Sequence, residues 1–384
     1  MSLILVAITA GPNGDAFYLP PSPLPAATHG DLIWARPWTS GLAPKSAASN
    51  TLVLYHTTSL TGVDTAISGT VSIPKGEPPK GGWPVISWAH GTTGNGPQCA
   101  PSRMDLHDTE QSALDGWLSK GYAVLQTDYE GNGTPGIHPY LVGEAAARDV
   151  TDIVRAARQL DPHIGTRWMV LGHSEGGASS LATASYGPAW APELQLLGSI
   201  AYAPASHMFG YLYDMQSAQQ PLPNVAFFFL MVRGAAAVDP DIDLHKMFYP
   251  TLTDRLPELQ KRCIWELDKD FGWNSIVPAE LFRRDANLDE LKRVFAANEP
   301  GALAISVPVY VFQGLKDQMV GAKATTQMVA VLCARRVNMS YATYADTDHF
   351  AVMAKSQALA EGWVADRFAG RPARSRCADP PLAF

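Results

Sequence analysis

Short apolar runs alternate with helix-like patterns through the first half of the chain. Two segments rich in β-branched residues, 51–56 (TLVLYH) and 66–73 (AISGTVSI), predict a pair of neighbouring strands. Three apolar runs that end in small or polar residues follow at 84–89, 123–127 and 168–171. Helical patterns lie between these runs, at 112–119 and 142–160. Nearly continuous apolar strands separated by helices predict a mostly parallel sheet covered by helices on both faces.

This pattern is interrupted once. A strand at 196–203 is followed by about 100 residues without strand character, before strands return at 307–312 and 338–344. The interruption is apolar and helix-like, notably at 225–232 and 256–265, which predicts a helical cap inserted over the sheet. The predicted division along the chain is an extended lead without regular structure at 1–45, a core at 46–204, the cap at 205–304, and the rest of the core with a C-terminal tail at 305–384.

Composition and charge exclude several classes of protein. The 384 residues are 46% hydrophobic and 17% charged, which is typical of a globular protein and excludes a disordered or collagen-like chain. The net charge is −7, and the one basic cluster, at 367–376 (RFAGRPARSR), lies near the C-terminus. Nucleic acid is therefore not expected as a partner.

The sequence also contains no predicted transmembrane segment. A membrane-spanning helix needs about 20 apolar residues, whereas the longest apolar run covers only 225–232 (VAFFFLMV). The first ten residues (MSLILVAITA) form a short apolar run without the positive charges that begin a secretory signal. The beginning of the sequence therefore does not decide the compartment.

The segment 172–177 (GHSEGG) contains a G-x-S-x-G motif around Ser174. It follows a predicted strand and precedes a helix of small residues, which is the context that a nucleophilic serine requires in this motif. The sharp turn aims the Ser174 hydroxyl away from the sheet, and the glycines leave room for neighbouring backbone. The N-terminus of the next helix directs N–H groups and a positive dipole toward the place where an oxyanion would develop. Ser174 is therefore predicted to be a nucleophile.

An activated serine needs a base, and the base needs a carboxylate to orient it. Where this motif provides the nucleophile, the chain order is serine, acid, histidine. Asp317 follows the predicted strand at 307–312, and His349 lies in the loop after the last predicted strand. The interval between them has room for one helix and one strand. We predict that His349 is the general base and that Asp317 is its partner.

Other acids and histidines were weighed against this pair. Asp346 and Asp348 are also near His349, but Asp348 is the adjacent residue and its side chain is expected to point away from the ring. His90 and His173 lie beside motif glycines at the ends of predicted strands. A single histidine is more often a hydrogen-bonded structural residue. Only His349 has an acid before it in the required order.

Residues 90–94 (HGTTG) follow the predicted strand at 84–89, where the second oxyanion donor of an α/β-hydrolase is expected. The predicted donors are the backbone N–H groups of Glu175 and Thr92, with Thr93 as the alternate. Loss of one such donor costs about 2.7–4 kcal/mol in the transition state of a comparable hydrolase. An ordinary turn between a strand and a loop is the alternative interpretation of this segment.

Two further motifs fail on inspection. The run 131–136 (GNGTPG) matches a dinucleotide-binding pattern, but Pro135 prevents the helix that would hold a pyrophosphate. Asp239, Asp241 and Asp243 imitate a calcium loop, but Leu244 occupies the position that requires glycine. No spacing of cysteine and histidine fits a zinc site. The sequence therefore predicts neither a cofactor nor a metal ion.

Several segments together resemble the secretory lipase family of the lipase A type. They are FYLPPSPLP and GDLIWARP near the start, PVISWAHGTTG, CAPS at 99–102, DYEGNGTPGIHPYLVGEAAARDVTD, GHSEGG, GLKDQMV and the final DTDH. The resemblance implies an α/β-hydrolase fold under a helical cap, acting on carboxylic esters, often of fatty acids, without a cofactor. The positions that match the family's catalytic residues are Ser174, Asp317 and His349, with the oxyanion segment at 90–93.

The resemblance also implies a pattern of cysteine pairing. By analogy with lipase A relatives, Cys99 pairs with Cys263, and Cys333 pairs with Cys377. Sequence alone allows three pairings of four cysteines, and four reduced thiols in a cytosolic enzyme are the alternative. The family implies a secreted or periplasmic protein.

These observations predict a serine carboxylic-ester hydrolase, a lipase or an esterase, whose substrate is a small-molecule or lipid ester. Transient contact with a lipid interface is expected. Phe227, Phe228 and Met231, with the residues 229–230 between them, are candidates for lining an acyl pocket, and burial in the core of the cap is the alternative for most of them. An acyltransferase with the same triad and a non-catalytic binding module of this fold are the alternative functions.

Overall fold

The computed structural model describes residues 8–270 and 272–377. Nine strands form one sheet: β1 Leu32–Pro37, β2 Ala47–Thr58, β3 Asp64–Pro74, β4 Trp83–Ala89, β5 Ala123–Thr127, β6 Ile164–His173, β7 Gln195–Tyr202, β8 Val309–Gly314 and β9 Met339–Tyr344. The helices are α1 Asp108–Ser119, α2 Gly143–Leu160, α3 Glu175–Trp190, α4 Met208–Ser217, α5 Val225–Val238, α6 Leu244–Met247, α7 Pro250–Thr253, α8 Ile264–Asp270, α9 Asp289–Ala297, α10 Ala322–Ala334 and α11 Ala351–Phe368.

The strand order in the sheet is β1-β2-β3-β5-β4-β6-β7-β8-β9. The pairs that involve β1, β2 and β3 are antiparallel, and all pairs from β5 to β9 are parallel. From β4 the chain first adds β5 on one side and then β6 on the other. The loops that leave the carboxyl ends of β4 and β6 therefore diverge, and open α/β sheets bind ligands in the crevice at such a point.

Helices cover both faces of the parallel strands. In β4, Val85 packs into a cluster with Val150 and Ile153 of α2, whereas the next residue, Ile86, packs with side chains of α1 and α11 on the other face. Successive side chains of a strand point to opposite faces, so a strand buried on both sides becomes a continuous apolar run. The predicted mostly parallel sheet with helices on both faces is confirmed.

Helices α4 to α9 lie between β7 and β8 and build an apolar cluster of their own. Helix α5 is buried on nearly every side, which explains why Arg233 is its only charged residue. The helix-like stretch at 256–265 is divided between a short 3₁₀ turn at Leu256–Gln260 and the start of α8. The side chain of Glu266 accepts a hydrogen bond from the backbone N–H of Cys263 at 2.7 Å. This contact caps the N-terminus of α8, which begins at Ile264.

The expectation that no regular structure precedes residue 46 is wrong. Strand β1 pairs antiparallel with β2, with Ala35 opposite Val53. It lies at the edge of the sheet, and Ala35 is its only fully buried residue. An edge strand with one buried side chain has a weak alternation of apolar and polar positions, which is why the sequence pattern did not predict it.

Both implied disulfides are present, Cys99–Cys263 and Cys333–Cys377, each with 5.4 Å between Cα atoms. The first joins the loop after β4 to the start of α8, and the second joins the end of α10 to the C-terminal tail. Among the described helices, none has the length and apolar character needed to cross a membrane.

Candidate active site

Ser174 occupies a strained turn between β6 and α3. Its φ of 58° and ψ of −116° lie in a region that side chains rarely adopt, at a cost of about 1–3 kcal/mol. Backbone hydrogen bonds hold it there: its N–H donates to Tyr202 at 2.9 Å, and its carbonyl oxygen accepts from Ala178 at 3.1 Å and from Ala205 at 3.0 Å. The turn places Ser174 at the N-terminus of α3.

The glycines of the motif are required by close packing of backbone. A Cβ atom on Gly172 would overlap the carbonyl group of Gly176, and a Cβ atom on Gly176 would overlap the carbonyl oxygen of Ala89. The turn therefore packs against the end of β4. This contact brings Ser174 beside the loop that follows β4, where the oxyanion donors are predicted.

Asp317 and His349 form a buried hydrogen-bonded pair. The Nδ1 atom of His349 lies 2.7 Å from Oδ2 of Asp317, and the two residues are 3% and 6% exposed. Oδ1 of Asp317 accepts the backbone N–H groups of Met319 and Val320, each at 2.8 Å, and Gln313 donates to Oδ2 at 3.1 Å. With the carboxylate fixed and Nδ1–H donating to it, Nε2 of the neutral ring is left as an acceptor.

The two rival acids lie elsewhere. Asp346 forms an exposed ion pair with Lys316 at 2.8 Å. Oδ1 of Asp348 accepts the backbone N–H groups of Phe350 at 3.1 Å and Ala351 at 2.8 Å, so its side chain caps the start of α11. As expected from its position next to His349, Asp348 points away from the ring.

Ser174 and His349 line one cavity of about 440 Å³, together with Thr92 and Thr93. Within the described part of the chain, no hydrogen bond joins the Ser174 hydroxyl to the His349 ring. Catalytic hydrogen bonds are often long in the absence of substrate and shorten only in the reacting complex.

Of the predicted oxyanion donors, Thr92 and Thr93 line this cavity, and Glu175 directly follows Ser174, which also lines it. Glu175 is the first residue of α3, where helix N–H groups lack partners within the helix. No hydrogen bond to another described residue occupies the N–H groups of Glu175, Thr92 or Thr93. The Thr92 hydroxyl contacts the Tyr140 hydroxyl at 2.9 Å, and the Thr93 hydroxyl accepts from Asn132 at 3.1 Å. The loop 129–140 thus holds the segment 90–94 in place.

Sequence reasoning missed a buried carboxyl group beside the oxyanion segment. Oε1 of Glu110 accepts hydrogen bonds from the Trp88 indole at 2.7 Å and from the backbone N–H of Gly91 at 3.1 Å. Burial raises the pKa of Glu110 to about 7. Its sequence signal is slight, because an acid in the first turn of a helix is common on protein surfaces.

Glu175 has a second, unpredicted contact through its side chain. Its Oε1 atom lies 2.7 Å from Nε2 of His138, and both side chains are buried. The other ring nitrogen of His138 donates to the carbonyl oxygen of Glu130 at 3.1 Å. Glu175, which follows the proposed nucleophile, is therefore held by the same loop, 129–140, that contacts Thr92 and Thr93.

His90 and His173 are both buried. Burial lowers the pKa of His90 to about 4, and burial together with the neighbouring His349 lowers the pKa of His173 well below its usual value. Nε2–H of His173 donates to the carbonyl oxygen of His349 at 2.9 Å. The neutral ring of His173 thus supports the loop that carries His349, whereas the ring of His90 packs against the ring of Tyr129.

Residues 104–376 match the family model described as secretory lipase. The chain belongs to the secretory lipase family. Lipase 5 of Candida albicans is 22% identical over 95% of this chain and 83% of its own length. A protein of Mycobacterium tuberculosis named as a probable inactive lipase is 25% identical, over 94% of this chain and 83% of its own length.

Solved structures agree with the fold that this family is expected to have. Candida antarctica lipase A superimposes with a TM-score of 0.78 at 16% identity, covering 96% of this chain and 88% of its own. The rice cell wall degrading esterase LipA of Xanthomonas oryzae gives a TM-score of 0.62 at 19% identity, covering 89% of this chain and 98% of its own. The chain therefore has the α/β-hydrolase fold.

A second and larger cavity in this secretory lipase family member opens from Ser174 toward the inserted helices. It has about 1130 Å³ and is lined by Phe227 and Met231 as well as by side chains of α4. Phe228 does not line it, which corrects the prediction: its ring packs against Phe248 and Phe282 inside the inserted segment, with centroids 5.9 and 5.7 Å apart. Phe227 and Met231 are four residues apart and therefore share the face of α5 that borders the cavity. Phe228, the residue after Phe227, lies on a different face.

Proposed function

We propose that this chain is a serine carboxylic-ester hydrolase, a lipase or an esterase, that works through an acyl-enzyme. The observation that carries the proposal is the arrangement of three residues. Ser174, strained at a helix N-terminus, opens on the same cavity as His349, whose ring is oriented by Asp317. The family also supports an ester as substrate.

In the proposed reaction, Oγ of Ser174 attacks the ester carbonyl carbon while Nε2 of His349 takes the hydroxyl proton. The negative charge that develops on the carbonyl oxygen accepts hydrogen bonds from the backbone N–H groups of Glu175 and Thr92, with Thr93 as the alternate. The imidazolium then gives its proton to the departing alkoxide. Water repeats the sequence on the acyl-enzyme, releasing the acid and restoring Ser174.

We propose that the segment 205–304 is a cap over a core formed by 46–204 and 305–384, to which the segment 1–45 contributes the edge strand β1. The cap supplies one wall of the larger cavity through Phe227 and Met231. An apolar acyl chain in this cavity gains about 0.8 kcal/mol for each CH₂ group that leaves water. The apolar lining therefore favours esters with an apolar acyl group.

Location and contact with lipid belong to the same proposal. The two disulfides and the secretory lipase family support a secreted or periplasmic protein. Phe209 and Tyr213 of α4 are 50% and 67% exposed, beside other residues of α4 that line the cavity. Neighbouring exposed aromatic side chains at the rim of an apolar cavity favour transient contact with a lipid interface.

Hydrolysis of p-nitrophenyl esters from acetate to palmitate, with and without an oil interface, tests the proposal. Ser174→Ala is expected to abolish turnover, whereas Ser206→Ala, which removes a hydroxyl group from the same cavity, retains it. A Ser174→Ala protein that keeps its turnover would refute the proposal. Transfer of the acyl group to an added alcohol in preference to water would indicate an acyltransferase.

The name of the Mycobacterium tuberculosis relative motivates a second candidate, a non-catalytic binding module. It predicts a folded wild-type protein that binds esters without hydrolysing them. Absence of turnover on every ester in the series, with an intact thermal unfolding transition, would favour this candidate.

A further inference from the structure

A groove lies at the end of the sheet opposite Ser174. Its floor contains Tyr310 and Ser340, near the starts of β8 and β9, and its walls are α11 and the C-terminal tail. It has a volume of about 1200 Å³. Ser174 follows the carboxyl end of a parallel strand, whereas this groove is at the amino ends. The two sites are therefore separated by the length of the sheet.

Arg367 lines this groove with a buried guanidinium group. The residue is 6% exposed, and neither Nε nor Nη1 has a hydrogen-bond partner among the described residues. Its guanidinium lies 5.1 Å from the ring centre of Trp363. Burial lowers the pKa of Arg367, the nearby charge of Asp366 raises it, and the repulsion of Arg371 lowers it. A buried cation whose N–H groups lack hydrogen-bond partners is destabilising.

The other charged groups of the groove increase the positive charge. Arg371, Arg374 and Arg376 also line it, and Asp366 is the only acid among the lining residues. Asp366 is occupied, because its Oδ1 atom accepts a hydrogen bond from Nε of Arg371 at 2.6 Å. Three arginines therefore face the groove without an ion pair in the described part of a chain whose net charge is −7.

The tail that carries Arg374 and Arg376 is fixed in place. Its backbone N–H at Arg376 donates to Met339 at 2.8 Å, and its carbonyl oxygen at Arg374 accepts from the Ser340 hydroxyl at 3.3 Å. The disulfide of Cys377 to Cys333 fastens its end to α10. A binding site whose backbone is already ordered loses less entropy when a ligand binds.

We propose that this groove binds a phosphate group. Guanidinium groups present parallel N–H donors that match phosphate oxygens, and such charge-assisted hydrogen bonds are strong. The half-buried Trp363 and Leu359, which is 43% exposed, give the groove an apolar side for the organic part of the ligand. The ligand is a phosphate monoester in solution or the phosphate headgroup of an anionic lipid.

Isothermal titration calorimetry with inorganic phosphate tests this site in the protein of residues 1–384. The double variant Arg374→Gln/Arg376→Gln changes exposed side chains, so it spares the fold while removing two donors. It is expected to weaken phosphate binding about tenfold or more. The matched control, Lys80→Gln/Arg284→Gln, removes two exposed charges elsewhere and is expected to keep the wild-type affinity. Ester hydrolysis is expected to be the same in all three proteins, so failure here is distinct from failure of the proposed function.

Absence of saturable phosphate binding, or equal affinity in the groove variant and the control, would overturn the proposal. The segment 378–384 contains one acidic side chain, Asp379, which is an intramolecular alternative to an external anion. Much tighter phosphate binding by Asp379→Asn than by the wild type would show that this chain's own carboxylate occupies the groove, which also refutes the proposal. Unchanged affinity in Asp379→Asn supports it.

Vesicles distinguish the two sources of phosphate. If the headgroup of an anionic lipid is the ligand, the wild type sediments with phosphatidylcholine vesicles that contain phosphatidic acid, and the groove variant does not. If the ligand is soluble, phosphate binds in calorimetry and neither protein sediments with these vesicles. Equal sedimentation of the wild type and the groove variant with the acidic vesicles would contradict a role for the groove in lipid binding.

Discussion

The backbone N–H of Ile264 donates a hydrogen bond to the carbonyl oxygen of Thr93, with 2.9 Å between nitrogen and oxygen. The preceding residue, Cys263, is disulfide-bonded to Cys99. The inserted segment is thus attached by a hydrogen bond to the segment that we propose binds the oxyanion, and by a covalent bond to Cys99 farther along the same loop. This disulfide is therefore expected to affect both stability and catalysis.

Cys99→Ser/Cys263→Ser is predicted to lower the free energy of unfolding by about 2–5 kcal/mol and to lower kcat, because Thr93 loses a fixed neighbour. Cys333→Ser/Cys377→Ser is the matched control. Its disulfide closes a loop of 44 residues rather than 164, so we expect a loss smaller by about 1 kcal/mol and no change in kcat. Urea denaturation and p-nitrophenyl butyrate hydrolysis measure these effects. Equal kcat in the two variants would count against the coupling.

Asp317→Asn is predicted to reduce kcat by about 10⁴-fold, as loss of the corresponding carboxylate does in a serine protease triad, because His349 then adopts the wrong tautomer. The matched control is Asp348→Ala. It removes a helix cap and should cost about 0.5–2 kcal/mol of stability with little effect on kcat. Steady-state kinetics and thermal unfolding distinguish the two. A larger loss of kcat in the Asp348 variant would show that the wrong acid has been assigned.

Met231→Trp is predicted to reduce turnover of palmitate esters more than turnover of acetate esters, because a larger side chain shortens the cavity that opens from Ser174. Phe228→Leu is the control from the same helix. Its side chain packs within the inserted segment, so the variant should lose stability while keeping the wild-type ratio of the two rates. The ratio of kcat/KM for palmitate and acetate decides the matter, and an unchanged ratio in Met231→Trp would exclude this cavity as the acyl site.

Glu110 is predicted to make stability depend on pH near neutrality. Its pKa is raised from 4.5 to about 7 in the folded protein, so the folded state holds more protons than the unfolded state between these values. Stability from this group is therefore complete below the unfolded pKa and is lost as pH rises through about 7, by about 3 kcal/mol in total.

Glu110→Gln retains an oxygen that accepts from Trp88 and Gly91 but does not titrate. Urea denaturation of both proteins at about pH 5 and about pH 8 should show that the wild type loses more stability than the variant over this range. Parallel changes in the two proteins would indicate that Glu110 does not titrate there.

The local pattern of apolar and polar residues predicted those strands and helices whose surroundings are the same along their whole length. Strands buried on both faces, such as β4, read as continuous apolar runs, and the segment between β7 and β8 read as helical. The edge strand β1 was not predicted, because Ala35 is its only buried residue. The chain order of Ser174, Asp317 and His349 selected candidates, and the structure brings Asp317 to His349 rather than Asp346 or Asp348. Their catalytic roles stay predictions.

The contacts that pattern could not predict depend on side-chain direction or on residues far apart in the chain. Phe228 and Met231 belong to one apolar run, and only the rotation of α5 separates the residue in the core from the residue in the cavity. Glu110 meets Trp88 across 22 residues, and Glu175 meets His138 across 37. Such pairs form only when strands and helices pack together. The periodicity of apolar residues within one strand or helix therefore does not predict them.

Labelling with a fluorophosphonate, followed by peptide mass spectrometry, tests the central claim most directly, since the reagent forms a stable adduct only with an activated nucleophile. We predict a single adduct on the peptide that contains Ser174, no adduct in Ser174→Ala, and much slower labelling in His349→Ala. A folded wild-type protein that hydrolyses esters but carries no adduct, or carries it on another residue, would contradict the account.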